Sequence, residues 1–142
     1  VEVVKLLDGY VDIYLPDMKY FDDDIAQEIS SVSNYVQNNK EALIEMWNQV
    51  GELELDDYGI AKKGLIIRHL VLPENKSNSD LVLKWIAEKI SYARISLMSQ
   101  YFPAHKAVNY PGLDRKITKK EYDFVVKIME EGGLNGWIQP IQ

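Results

Sequence analysis

Leu65-Ile66-Ile67-Arg68-His69-Leu70-Val71-Leu72, introduced by Gly64 and stopped by Pro73, constrains the fold more than any other stretch of the chain. It is far too short to cross a bilayer as a helix. Bounded by Gly and Pro and rich in β-branched residues, it reads as a strand, and its near-continuous apolarity suits a parallel sheet covered on both faces. Parallel neighbours require long crossovers, so helices are expected on either side of the strand.

The flanking sequence supplies them. Tyr10-Val11-Asp12-Ile13-Tyr14-Leu15, ended by Pro16, alternates like a strand. Asp22-Asp23-Asp24 opens a short helical turn, and Leu43, Met46, Trp47 and Val50 mark the face of a longer helix ended by Gly51. Glu52–Lys63 reads as a connector. Ser79 is the expected cap of a helix bearing Val82, Trp85, Ile86 and Ile90, and Arg94–Ser99 is the third strand. A long loop, Gln100–Lys116, precedes a capping box at Thr118–Glu121 and a stripe of Tyr122, Val125, Val126 and Met129. Trp137-Ile138 suits a last short strand. At the start, Val3, Leu6 and Leu7 with Gly9 read as the end of a helix whose beginning is missing. The order implies one α/β domain over residues 1–142, with about three parallel strands and covering helices, as an open sheet or an arc of a (β/α) barrel.

With 46% hydrophobic and 27% charged residues, the composition is that of a globular protein. The net charge of -6, with scattered Lys and Arg, argues against a nucleic-acid surface. No apolar run is long enough for a membrane span, and a cytoplasmic location is expected. The chain has no cysteine, which removes disulfides, thiolate nucleophiles and thiolate ligands for zinc or iron–sulfur clusters. A protein-only metal site is not expected from two histidines far apart in sequence.

Sites in parallel α/β folds lie at the C-terminal ends of the strands. The first strand runs into Asp17-Met18-Lys19, where two-residue spacing puts both charged side chains on one side. Arg68 and His69 point to opposite faces. A guanidinium in an apolar strand needs a carboxylate or phosphate partner, or an exposed position. His69 reads as a satisfied structural histidine. His105 follows the third strand in Tyr101-Phe102-Pro103-Ala104-His105. On chemistry alone each of these residues fits a ligand contact or an ordinary ion pair.

Three segments, Asp8–Tyr20 (Asp-Gly-Tyr-Val-Asp-Ile-Tyr-Leu-Pro-Asp-Met-Lys-Tyr), Ile67–Pro73 (Ile-Arg-His-Leu-Val-Leu-Pro) and Ser96–His105 (Ser-Leu-Met-Ser-Gln-Tyr-Phe-Pro-Ala-His), together with Asn135–Gln139, resemble radical-SAM proteins related to the pyruvate formate-lyase activating enzymes. The resemblance covers almost the whole chain. It implies the C-terminal part of a partial (β/α)6 TIM-like barrel, holding strands four to six and lacking the N-terminal half whose CxxxCxxC loop carries the 4Fe-4S cluster. It assigns Asp17, Lys19, Arg68 and His105 to S-adenosylmethionine (SAM), with Arg68 and His105 expected near its carboxylate and nucleoside parts. The implied partners are the missing half of the barrel and a glycyl-radical enzyme or another protein or small-molecule substrate. Neither SAM nor the cluster is expected to be held by this fragment alone, which is expected to be inactive and to form a homodimer. Where relatives have Pro-Gly after the fifth strand, this chain has Pro73-Glu74-Asn75. Two other readings remain: a barrel lyase piece using Lys19 as a Schiff-base amine, and a non-catalytic interaction module.

Overall fold

The apolar run becomes the second half of β3 (Ala61–Leu70), the central strand of the computed structural model, which describes residues 1–141. Parallel to β3 on one side lies β1 (Ile13–Tyr14), with Tyr14 opposite Leu65. On the other side lies β4 (Arg94–Met98), with Ile67 opposite Ile95 and His69 opposite Leu97, and β5 (Gly136–Ile138) then extends the parallel sheet. The crossovers are α3 (Tyr35–Val50), α4 (Ser79–Lys89) and α5 (Lys119–Glu131), preceded by the short α1 (Glu2–Lys5) and α2 (Asp23–Ser30). The chain is thus an α/β protein with a mainly parallel sheet in the order β1-β3-β4-β5.

Alternation decides what each side of the sheet does. Tyr14, Leu65, Ile67, Ile95 and Leu97 point to one side and pack with Leu43 and Val50 of α3, Val82, Leu83 and Ile86 of α4, and Tyr122, Val125 and Met129 of α5. The intervening residues Ile66, Leu70, Ser96 and Met98 are only half-buried and Arg68 is exposed. The expectation that both faces of the Leu65–Leu72 strand are covered is therefore corrected: the long crossover helices share one face and leave the other open. Burying an apolar side chain is worth about 1.5–3 kcal/mol, so the helix-side layer carries most of the stabilisation.

The connector Glu52–Lys63 in fact folds as a β-hairpin. β2 (Glu54–Leu55) runs antiparallel to the start of β3. Asp56 builds the turn by accepting from Tyr58 N and Ile60 N through Oδ1, both at 2.9 Å. Gly64, at φ 132°, allows the close crossing, since a Cβ there would overlap the Leu53 backbone. The expected Ser79 cap is also corrected. Asn78, in the left-handed region, precedes the helix, while Ser79 is its first residue and is fully buried with its hydroxyl on His69. The capping box at Thr118 and Glu121 forms as expected.

At the other end of the chain, α1 stops at Lys5 and turns carry the backbone to Gly9 at φ 77°. α1 joins α3 through Gln49 Nε2, which donates to the Val4 carbonyl at 3.0 Å. β1 has β3 as its one partner among the described residues, and Val3, Leu6, Tyr10 and Leu15 nearby are exposed. Among the described residues no helix is long and apolar enough to cross a membrane.

Candidate functional site

The segment Pro16–Lys19 is fixed from several directions. On the β3 side, Arg68 N donates to Pro16 O at 2.9 Å and Met18 N donates to Arg68 O at 3.0 Å. On the α3 side, Lys19 N donates to the Tyr35 hydroxyl at 2.7 Å and Asn39 Nδ2 donates to Asp17 O at 2.9 Å. Tyr35 and Asn39 are one turn apart, so a single helix face holds both backbone groups. Burial pushes the Tyr35 phenol above its ordinary pKa, which keeps it a hydroxyl.

Held this way, the segment presents its charges to the open face. Asp17 Oδ1 accepts from Arg68 Nε at 2.7 Å and Asp17 Oδ2 lies 3.6 Å from Lys19 Nζ. The Arg68 and Lys19 side chains are 44% and 48% exposed, so each cation keeps donors free toward solvent. One carboxylate between two cations leaves a local excess of positive charge, suited to a second carboxylate or a phosphate. Both anticipated solutions for Arg68 hold together, because it is paired and it is exposed.

His69 points the opposite way, into the helix layer, and is a structural histidine as expected. Its Nδ1 lies 2.6 Å from the Met18 carbonyl and its Nε2 lies 2.8 Å from Ser79 Oγ, with Ser77 Oγ 2.9 Å beyond. A carbonyl only accepts, so Nδ1 carries the proton and Nε2 accepts from the Ser79 hydroxyl. Burial lowers the His69 pKa to about 4.

Lys19 joins this charged cluster to a cavity of about 420 Å3 beyond the C-terminal ends of the strands. Leu70, Leu72, Tyr20 and Ile29 line it together with Tyr101, His105, Lys106 and Tyr110 of the Gln100–Lys116 loop. The four expected site residues therefore gather at one end of the sheet: Asp17, Lys19 and Arg68 in contact, and His105 with Lys19 around the cavity. The cavity's aromatic lining and Lys106 were missed, because only the fold of the Gln100–Lys116 loop brings them over Leu70.

The loops at this end are conformationally costly. Every non-glycine residue with positive φ among those described (Ser31, Asn34, Glu74, Asn75, Asn78 and His105) lies in the segments that follow β1, β3 or β4. Such conformations cluster at functional sites. Glu74, at φ 55° and ψ 27°, takes the left-handed conformation that the glycine of a Pro-Gly pair adopts at no steric cost. The altered dipeptide thus keeps a glycine-like backbone.

One carboxylate, also unanticipated, ties these loops together. Glu121 accepts from Glu74 N at 2.8 Å, from Arg115 Nη2 at 2.8 Å and Nη1 at 2.9 Å, and from Thr118 N at 2.7 Å. It therefore joins the turn after β3, the end of the Gln100–Lys116 loop and the start of α5. The Arg115 guanidinium, helped by the backbone donors, holds the Glu121 carboxyl well below the usual carboxylate range.

Among the described residues no three or more His, Asp or Glu side chains gather in a way that could hold a metal ion. The chain has no cysteine, so the residues present do not fit an iron–sulfur cluster.

No family model and no solved structure matches the chain. An uncharacterized protein of Methanocaldococcus jannaschii is similar to it, 29% identical over 136 residues. That match takes in 95% of this chain and 36% of the archaeal protein, so the chain spans about a third of that relative's length.

Proposed function

We propose that this chain is the SAM-binding part of a radical-SAM enzyme of the activating-enzyme type, an arc of a (β/α) barrel whose remaining strands and cluster ligands lie outside these residues. The observation that carries the reading is the Asp17–Lys19–Arg68 cluster on the open face of a one-sided parallel sheet, beside a cavity lined by His105. An open face with charged residues at the strand C-termini is what the lumen side of a barrel arc requires. SAM would supply radical chemistry only together with an iron–sulfur cluster whose ligands lie outside these residues, and Arg68, Lys19, Asp17 and His105 would hold SAM itself. The residues here bind and orient. Arg68 and Lys19 take the methionine carboxylate, Asp17 pairs with both of them, and His105 and the tyrosines border the nucleoside.

Calorimetric titration of the full-length enzyme with S-adenosylhomocysteine, which has both ends of the ligand and no cleavable sulfonium, tests the reading. Binding is expected, and Arg68→Ala should weaken it by about 1.5–3 kcal/mol, the usual worth of a charge-assisted contact. Folding stability should fall by no more than about 1 kcal/mol, because the Asp17–Arg68 pair is half exposed. Unchanged affinity with a large drop in melting temperature would refute the binding role. A coding sequence upstream of Val1 without CxxxCxxC would remove the radical-SAM assignment itself.

A further inference from the structure

The cavity does not end at His105. A second hollow of about 250 Å3, lined by Ile25, Lys76 and Pro111, shares Glu28, Ile29, Tyr110 and Leu113 with the first. The two form one groove between α2 and the loop bearing the 3-10 turn His105–Asn109, leading outward from the charged cluster.

Its chemistry changes along its length. The inner end holds Lys19 and His105. The outer part has an apolar bed of Ile25, Ile29 and Leu113, which belongs to a small core with Tyr20, Leu72 and Ala26. Lys106 and Lys76 line the groove, and Glu28 is its single acidic lining residue. In a chain of net charge -6 this is a local reversal of sign. Lys76 is only loosely engaged, 3.9 Å from Glu74. Nor is the outer wall slack. Tyr101 donates to the Leu113 carbonyl at 2.7 Å, and Arg115 anchors the end of the loop to Glu121. The main cavity lies within the range of about 300–1,000 Å3 typical of small-molecule sites.

We propose that the outer part of this groove seats the hydrogen-donating substrate, and that the substrate is a small organic anion with an apolar or aromatic body. The role as substrate seat rests on the radical-SAM reading, while the binding itself does not. The body lies on Ile25, Ile29 and Leu113 beside Tyr110, the anionic group meets Lys76 and Lys106, and the end facing Lys19 and His105 lies next to the nucleoside. Lysine ammoniums at a half-open site supply charge selection, and the partly buried apolar bed supplies shape.

Nitrogen-15 NMR titration with 4-phenylbutyrate, 4-phenylbutan-1-ol and 4-phenylbutylamine tests this, since the three probes differ in charge and share one body. The anion is expected to shift the amides of Ile29, Lys106, Tyr110 and Leu113 saturably and to bind on the order of ten-fold more tightly than the alcohol, with the amine weakest. A Lys76→Met, Lys106→Met double variant should bring anion and alcohol to equal affinity while leaving the alcohol's unchanged. Absence of saturable shifts at millimolar concentration, equal binding of anion and alcohol by the unaltered chain, or shifts centred on the open sheet face would overturn the assignment. So would a capped acidic pentapeptide that outcompetes 4-phenylbutyrate for the same amides. S-adenosylhomocysteine added to the full-length enzyme separates the two readings, because there its shifts are expected at Asp17, Lys19 and Arg68. If it fails while 4-phenylbutyrate binds, the SAM reading falls and the anion site stands. The reverse result removes the groove alone.

Discussion

Acidification should destabilise this protein in a pH range where few of its carboxylates titrate, and His69 is the reason. The imidazole is fully buried, with both nitrogens committed to Met18 O and Ser79 Oγ. Adding a proton at Nε2 breaks the bond from the serine hydroxyl and places a charge among apolar side chains. Burial is accordingly the main cause that lowers the pKa from 6.5 to about 4, with the Met18 bond opposing it. The unfolded chain titrates near 6.5, so between these values it binds more protons than the folded one. Stability is complete above about pH 6.5 and is lost as the pH falls toward about 4. At about 1.4 kcal/mol per pH unit the full loss is about 3 kcal/mol, of which about 2 kcal/mol is gone by about pH 5. Urea unfolding followed by the fluorescence of Trp47 and Trp85 at about pH 7 and about pH 5 measures it. His105→Gln should show the same loss as the unaltered chain. His69→Gln should begin about 1–3 kcal/mol less stable at neutral pH and change little on acidification. A similar acid loss in His69→Gln, or none in the unaltered chain, refutes the reasoning. Glu121, whose carboxyl is held low in the folded state, costs stability only as the pH drops below about 4.5.

Glu121→Ala should cost about 2 kcal/mol in thermal unfolding, since it removes the capping box, the paired Arg115 bonds and the acceptor for Glu74 N, and Glu121→Gln about half as much. Equal losses in the two variants would show that ionisation adds nothing. Gly112→Ala should cost more than about 1 kcal/mol, because φ is 83° there and a Cβ would overlap the Glu74 carboxylate. Combining it with Glu74→Gly should recover part of that loss, and no recovery would assign it to the backbone alone. The open edge of β1 and the exposed Leu15, Ile138 and Trp137 should give a dimer in sedimentation at roughly tens of micromolar protein, and a clean monomer would count against it.

Much of this was legible because it is local. The Leu65–Leu72 run, the Thr118–Glu121 box and the Tyr122, Val125, Met129 stripe are decided within a few residues of chain. The strand period also separates Arg68 from His69 without further information. What failed was non-local. β2 could not be read because Glu52-Leu53-Glu54-Leu55 alternates over too few residues to mark a strand, and β2 itself is two exposed residues long. It exists because Asp56 makes the turn and β3 offers an edge. Ser79 looks like a cap in sequence, but its hydroxyl is taken by His69, ten residues earlier. The one-sided sheet was hidden because half-buried Ile66 and Leu70 are as apolar as their buried neighbours. The four site residues Asp17, Lys19, Arg68 and His105 were legible as candidates. The Glu121 hub was not, since its reach to Glu74 spans 47 residues.

β1 pairs with β3 through only two residues of regular ladder, and the Asp17–Arg68 bond closes a loop of 51 residues. The Asp17–Arg68 bridge and the fully buried Met18 extend this short ladder, so the first strand and the charged cluster detach together. Each opening would strip Asp17 from Arg68 and break the Met18 N–Arg68 O bond in one motion. Exchange of the Met18 and Arg68 amides therefore reports the fraction of molecules in which the charged cluster is assembled at all. A ligand that bridges Arg68 and Lys19 spans the same opening and slows that exchange, so affinity at the site and attachment of the first strand share one free energy.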